Sequence, residues 1–531
     1  MNWTRRTYIV LFIWAMLMGL ALHHALTRPQ EFSLRVLHTN DHHAHLEAVE
    51  VGDTNLGGIA QRKTLIDSLR SEEKAPTLLL DAGDIFQGTL YFNKYLGEAD
   101  LPFYNELNYA AVAIGNHEFD KGQQVLADFI KQAQFPMVSA NIEVASDSPL
   151  SGLIKPWIVE DIQGQKIGIL GLTTEETALL SSPGEGVVFI DKVEAAKKAV
   201  AALQKQGVNK IIALTHLGFS NDLELARQVD GIDIIIGGHS HTPLGNMPGA
   251  TEPYPVVEKT PNGDTVLFVT DWEWGKYLGD LQVSFDSKGR LIDWQGSPHA
   301  VDDNIKPDET FIGQLDEFKK PLDDLRQQVI GKTTVKLDGD RANIRTQETN
   351  LGNLIADAIL TKMNVDNGQI AIVNGGGIRA SIPAGEVTVG QVLEVLPFGN
   401  TVTRLDLTGS QIKQALEHGV SRVEQGDGCF PHVSGIRLSW NPKSPAGSRI
   451  VEVQIRDQKG NEKPLDLNAT YRVVTNDFMM GGGDGYEIFK EGENQVDTGF
   501  LLSDVVIDYI RNQSPLNLQA ENRIMQKNAL S

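Results

Sequence analysis

From Ser33 onward, short apolar runs alternate with helical stretches, and each run ends abruptly in polar residues. Leu34-Arg35-Val36-Leu37 leads into His38-Thr39-Asn40-Asp41-His42-His43, and Thr77-Leu78-Leu79-Leu80 into Asp81-Ala82-Gly83-Asp84. Ala111-Val112-Ala113-Ile114 leads into Gly115-Asn116-His117-Glu118. Further on, Ile211 to Leu214 precedes Thr215-His216, and Ile232 to Ile236 precedes Gly237-Gly238-His239-Ser240-His241. Runs of four or five aliphatic residues predict strands buried on both faces. Helices are expected between them, over 56–70 and 193–206. This alternation predicts one layered α/β domain over residues 32–307. Its site is expected where polar groups collect, at the carboxyl ends of buried strands.

Residues 308–331 follow another rule. Phe311, Leu315, Phe318, Leu322, Leu325 and Val329 recur at steps of four and three, which marks one apolar face of a helix. Pro321 lies inside that helix and is expected to bend it. The helix either packs on a domain surface or connects two domains, and the connector is favoured because a new strand–helix pattern begins just beyond it. From Lys332 to about Lys527 the polar clusters change character: Asn374-Gly375-Gly376-Gly377-Ile378-Arg379, Pro397-Phe398-Gly399-Asn400 and Gly481-Gly482-Gly483-Asp484-Gly485-Tyr486. His418 and His432 are the histidines of this half, and each reads as an ordinary surface or packing residue.

At 531 residues the chain has room for two to four domains. Lys plus Arg is 47 and Asp plus Glu is 69, a formal charge of −22. A field of that sign repels polyphosphate backbones, which excludes a general nucleic-acid binder. Any phosphate must be held by local cations. The single cysteine, Cys429, permits no intrachain disulfide and reads as a small packing residue. At the start, Arg5 and Arg6 precede an apolar stretch from Tyr8 to Leu22. That order predicts a targeting segment over residues 1–25, either a signal peptide or an uncleaved anchor. The rest is expected to be exported, periplasmic or secreted, and to meet a membrane through that segment alone.

Five of the 13 histidines, His43, His117, His216, His239 and His241, fall just past strand ends. Imidazole and carboxylate suit borderline divalent ions such as zinc or manganese. Asp41-x-His43 and His239-x-His241 each put two side chains on one side of an extended segment. Asp84 has oxygens enough to bridge two ions. An isolated Asp-x-His is commonplace; five ligand clusters at strand ends are not.

Asp41-x-His43, Gly83-Asp84, Gly115-Asn116-His117-Glu118, Thr215-His216 and Gly238-His239-Ser240-His241 resemble the ordered motifs of the calcineurin-like metallophosphoesterases. With Asn374 to Arg379, and Asp477-Phe478 through Asp484-Gly485-Tyr486, the chain resembles the two-domain 5'-nucleotidase family over nearly all of its mature length. The resemblance implies a four-layer α/β/β/α metal domain and a smaller α/β substrate-binding domain, 332–527. It also implies one ion on Asp41, His43, Asp84 and His241, and a second on Asp84, Asn116, His216 and His239. Zinc, manganese and cobalt all fit such donors. Some periplasmic members that also split UDP-sugars carry Gln or Asn where this chain has His241, and a disulfide that one cysteine excludes.

Two divalent ions roughly 3.5–4 Å apart clamp a phosphate and lower the pKa of a bridging water. His117 with Asp120 three residues on is suited to donate to a phosphoryl oxygen, the role the family gives this pair. The alternative for Asp120 is a carboxylate stabilising a helix N-terminus. His38, His42 and His45 flank the ligands and are read as outer partners or solvent-facing groups. In similar nucleotidases the positions of Phe398 and Phe478 stack the base. The matches to Arg345, Asn374 and Arg379 contact the nucleoside, that to Asp484 binds the ribose, and Gly377 lets backbone approach the ligand. Composition alone would make the two phenylalanines core residues.

The resulting expectation is an exported dinuclear-metal phosphohydrolase. It releases phosphate from nucleoside 5'-monophosphates, with di- or triphosphates or UDP-sugars as further substrates. The rivals are a 2',3'-cyclic nucleotide 2'-phosphodiesterase/3'-nucleotidase, which typically carries tyrosines at the stacking positions, and a nucleotide-binding surface protein without turnover. Binding phosphate on one domain and base on the other implies that the halves close over the substrate, with the rotation absorbed near residue 321.

Overall fold

The computed structural model describes residues 31–51, 54–72, 75–366, 368–456 and 462–527. The expected targeting segment, 1–25, lies outside them. Among the described residues, no helix is long and apolar enough to cross a membrane.

The first half is built on two sheets laid face to face. One runs in the order Leu291–Gly296, Tyr277–Phe285, Phe32–Thr39, Thr77–Asp81, Ala111–Ala113, Met137–Val138. The other runs Val256–Lys259, Thr265–Val269, Ile234–Gly237, Ile211–His216, Gln165–Thr173, Trp157–Ile162. The inner faces meet through Val36, Leu80, Ile169, Ile212, Ile236 and Leu267, all buried. Helices Ile59–Ser71, Leu101–Leu107 and Gly122–Gln132 contribute to the core on the outer face of the first sheet, and Lys192–Lys205 and Phe219–Gln228 to that on the second. This is a four-layer α/β/β/α arrangement, and central strands covered on both faces explain the uninterrupted apolar runs.

Two boundaries differ from expectation. Leu56 belongs to a hairpin, Thr54–Gly57 against Ala48–Val51, and the helix begins only at Ile59. Gly57 and Gly58 both have positive φ, which breaks the helical phase. The later helix starts at Lys192, where the Asp191 carboxylate accepts the Glu194 N–H.

The stretch expected as one helix over 308–331 is two helices and a strand. Glu309–Lys319 is capped by the Asp308 side chain, Leu322–Arg326 follows Pro321, and Val329–Thr333 pairs antiparallel with Gly385–Thr388. Phe311, Leu315, Phe318 and Leu322 pack on the helical face of the first half. Val329 is 45% exposed and leaves that face, because Ile330 points into the core of the second half.

The second half carries a five-stranded sheet in the order Pro431–Ser434, Ile370–Asn374, Thr470–Asn476, Thr401–Thr408, Glu493–Leu501. Asn350–Lys362, Val389–Val395 and Leu502–Gln513 supply the core on one face. Gly409–Gly419 and the strands Ile436–Trp440 and Ile450–Arg456 supply it on the other.

Candidate metal centre and substrate cleft

The strand-end clusters converge. One group of donor atoms comes from Asp41, His43 and His241, and a second from Asp84, His216 and His239. Within each group the ligand atoms lie within 4.8 Å of one another. The turn that delivers the first group is strained, with Asp41, His43 and Ala44 all near φ 50°. Glu118 ties the other turns together. Its carboxylate accepts the N–H groups of Asp84 at 3.0 Å, Ile85 at 2.8 Å, Phe86 at 3.2 Å and Gly115 at 2.6 Å. The sequence placed Glu118 inside a motif but gave it no role, since its partners are mostly some thirty residues away.

The tautomers fit cation ligands. His43 Nδ1 meets the Phe86 carbonyl at 3.1 Å, His216 Nδ1 the Ala82 carbonyl at 2.8 Å, and His241 Nδ1 the Glu273 carboxylate at 2.7 Å. Each ring thereby presents Nε2 to the centre. His216 Nε2 lies 2.9 Å from Asp84 Oδ2 without hydrogen-bond alignment. A ring nitrogen and a carboxylate oxygen at that separation call for a positive charge between them, a proton or a metal ion. The Asn116 amide is buried with neither its oxygen nor its nitrogen bonded to protein, as expected of a ligand.

The electrostatics agree. Burial holds His43 neutral, at about 4, and His239 neutral, at about 3. Burial works against charge on His216 too, yet Asp84 draws it up to about 10. Burial alone would raise the Asp84 carboxyl, but His216 and His117 pull it well below the usual carboxylate range. The carboxylates thus demand positive charge at this spot, and two divalent ions fit the donor set.

Asp120 is not a helix cap. Its Oδ2 accepts from His117 Nδ1 at 2.6 Å, and its Oδ1 from Ser181 Oγ at 2.7 Å. Burial opposes a charge on His117, but Asp120 and Asp84 hold its imidazole up at about 9. Its Nε2–H donates to the Thr498 carbonyl of the second half at 2.8 Å.

Arg345, Asn374, Gly377, Arg379, Phe398, Phe478 and Asp484 all line one cavity of about 1140 Å³, together with His241, Glu273 and Trp274 of the first half. Phe398 is 55% and Phe478 47% exposed, so neither is a core residue. The Arg379 guanidinium lies 5.5 Å from the Phe398 ring centroid. Asn374 donates to Asp484 at 2.7 Å and is itself held by Asn476 at 3.1 Å. Arg341, in none of the motifs read above, lines the same cavity beside Arg345.

The flanking histidines are not solvent-facing. His38, His42 and His45 are buried: His38 meets Tyr254 Oη at 2.7 Å, His42 joins Arg62 at 3.0 Å and Asp100 at 3.1 Å, and His45 stacks on Trp274. Cys429 is a buried packing residue whose thiol burial pushes up to about 12.

A four-layer α/β/β/α domain with two Asp/His clusters above its strands is the architecture of a phosphoesterase, and residues 34–243 match the calcineurin-like phosphoesterase family. Residues 329–491 match the 5'-nucleotidase C-terminal domain. The 5'-nucleotidase of Diplobatis ommata is 38% identical, over 96% of this chain and 92% of its own. A trifunctional nucleotide phosphoesterase of Bacillus subtilis is 41% identical over 90% of this chain, which spans 34% of that longer protein. Among solved structures, the 5'-nucleotidase precursor of Thermus thermophilus is 48% identical with a TM-score of 0.61, covering 94% of this chain and 100% of its own. The NAD nucleotidase of Haemophilus influenzae is 29% identical with a TM-score of 0.81 and the same coverage. The chain belongs to the 5'-nucleotidase family of metallophosphoesterase hydrolases.

Proposed function

We propose that this protein is an exported, metal-dependent 5'-nucleotidase releasing phosphate from nucleoside 5'-monophosphates, with nucleoside di- or triphosphates or UDP-sugars as further substrates. The observation that carries the reading is that one cavity holds His241 of the first donor cluster and all seven residues expected to grip a nucleoside. Asp41, His43, Asp84 and His241 would hold one ion, and Asp84, Asn116, His216 and His239 the other. When bound, such a pair acts as a Lewis acid on the phosphate and lowers the pKa of a water.

The chain's own residues do the rest. Charged His117, aimed by Asp120, donates a proton-bearing Nε2 to a phosphoryl oxygen as negative charge grows there. Arg345 and Arg379 balance the anion in a molecule of net charge −22. Phe398 and Phe478 offer faces to the base, and Asp484 accepts from the ribose hydroxyls. The working halves are proposed as 32–307 and 332–527 with 308–331 as the link, although the strand Val329–Thr333 already pairs within the second half.

The test is a panel of AMP, ATP, a UDP-sugar and a 2',3'-cyclic nucleotide, each with zinc, manganese or cobalt supplied. AMP should release phosphate fastest; preference for the cyclic substrate would overturn the reading. Asp84→Asn should lower turnover by more than about a hundredfold, the upper cost of losing even an outer partner of a metal ligand. It should also reduce the ions bound per chain in calorimetry.

A further inference from the structure

His418 reads as an ordinary residue in the sequence, but its ring points at the nucleoside cavity wall. It sits in the last turn of helix Gly409–Gly419, and its Nε2–H donates to the backbone carbonyl of Asp484 at 2.8 Å. Asp484 is a non-glycine residue at φ 50°, ψ 20°, inside the turn Gly483–Gly485. A left-handed aspartate needs its peptide planes fixed, because the neighbouring extended and helical conformations lie close in energy. The donor from His418 fixes the plane that follows it. The ring in turn is seated edge-on against Tyr486, with centroids 5.1 Å apart, and Tyr486 is anchored to the Cys429 carbonyl at 2.6 Å.

The carboxylate that this turn presents has little latitude. Asp484 Oδ2 lies where a Cβ on Gly376 would approach to 2.5 Å and one on Gly428 to 2.6 Å, so it is pinched between two backbones. Oδ2 accepts from Asn374 Nδ2. Oδ1 has no protein partner among the described residues, and Asp484 lines the cavity. With so narrow a seat for Oδ2, a shift of the left-handed turn once its 484 carbonyl is unclamped would cost the carboxylate its fit, while leaving the rest of the fold intact.

We infer that His418 is a positioning residue for nucleoside recognition: by clamping the Asp484 carbonyl it aims the free carboxylate oxygen at the vicinal hydroxyls of a ribose. The inference rests on the nucleotidase reading above. It assigns to a side chain outside the cavity part of the discrimination between nucleotides and phosphate esters that lack a sugar.

His418→Leu keeps a side chain against Tyr486 and removes the donor; His418→Gln places an amide N–H near the same point. With the full-length, metal-loaded protein, His418→Leu should raise KM for AMP by about tenfold more than for p-nitrophenyl phosphate, the cost of one misplaced hydrogen-bond acceptor. His418→Gln should recover most of the difference. Adenosine binding by calorimetry should weaken in parallel. In an Asp484→Ala background the leucine substitution should add nothing, since the group it positions is gone. Equal losses on both esters, no loss on AMP, or full additivity with Asp484→Ala would overturn the positioning role while AMP turnover by the unaltered protein leaves the nucleotidase reading standing. If the unaltered protein neither hydrolyses AMP nor binds adenosine, that reading fails and this one with it.

Discussion

Phe398, in the turn after helix Val389–Val395, and Phe478, in the short helix Asp477–Met480, are large apolar side chains left half in solvent in one cavity, a placement that wastes hydrophobic area unless a flat ligand covers it. Replacing either with alanine should raise KM for AMP by roughly tenfold or more, because stacking is worth about 1–3 kcal/mol per base. kcat should change far less, since the proposed function puts the reacting phosphorus at the metal centre, away from these rings. Initial-rate kinetics check this; a fall in kcat at constant KM would contradict it. These candidate positions, like the candidate metal donors, were legible in sequence because a motif carries its neighbours with it: Asp41-x-His43 or Asp477-Phe478 is read in one glance. Glu273 was not. It lies 32 residues beyond His241, and only the fold brings its carboxylate to 2.7 Å from the imidazole. Arg62 was hidden for the same reason: nothing local shows that it is fully buried against His42.

Runs of four or five aliphatic residues declared the strands without reference to a partner, whereas the four–three recurrence over 308–331 ran on across two helices and into a strand that only its pairing with Gly385–Thr388 reveals. Sheet order did not declare itself either, because pairing Phe32–Thr39 with Tyr277–Phe285 joins residues some 250 positions apart. Two glycines show what the elements will tolerate. Gly171, in strand Gln165–Thr173, passes so close to the other sheet that a Cβ would stand 2.1 Å from the Val138 carbonyl oxygen. Gly171→Ala should therefore destabilise the protein by about 1–3 kcal/mol, the usual cost of forced overpacking. Gly313 lies within helix Glu309–Lys319 with open space around it and an ordinary φ. Gly313→Ala should stabilise by about 0.5–1 kcal/mol through helix propensity alone. Urea unfolding of the two variants separates them by sign, and the same sign in both would mean that local packing does not govern these positions.

At the scale of the whole molecule, acid should unfold the protein partly through histidines buried neutral. Burial lowers His432 from 6.5 to about 4 and His38 from 6.5 to about 3. Below pH 6.5 the unfolded chain takes up a proton that each native site refuses, so their contribution is complete above 6.5 and is lost as pH falls toward the folded values. For His432 this amounts to about 3 kcal/mol. His432→Gln, which can still donate to the Ile344 carbonyl met at 2.8 Å, should flatten the decline in stability between pH 6.5 and 4. An unchanged slope in urea titrations across that window would show that His432 is not refusing the proton.

The same scale governs turnover. His117, the proposed proton donor, has its Nε2 engaged by the Thr498 carbonyl at 2.8 Å, and Gly499 approaches so closely that a Cβ there would stand 2.2 Å from that nitrogen. Phe500 closes the edge of the ring. A phosphate cannot reach His117 while this segment stays. The segment ends strand Glu493–Leu501, which shares a sheet with Ile370–Asn374, so it moves only with the body that carries the cavity residues Asn374, Phe478 and Asp484. Under the proposed function, release of His117 and delivery of substrate would belong to one motion of the second half against the first, with the helix break at Lys320 and Pro321 as the place to absorb it. Asn93 of the first half donates to Asp504 of the second at 3.1 Å, so this pair reports the arrangement described here. Cysteines at both positions, joined by a cleavable thiol cross-linker, should arrest AMP hydrolysis, and cleavage should restore it. Buried Cys429 should escape the reagent. Sustained multiple turnover in the cross-linked protein would mean that phosphate reaches the His117–Asp120 pair without the halves moving, and the cavity residues would then have to bind substrate as they now stand.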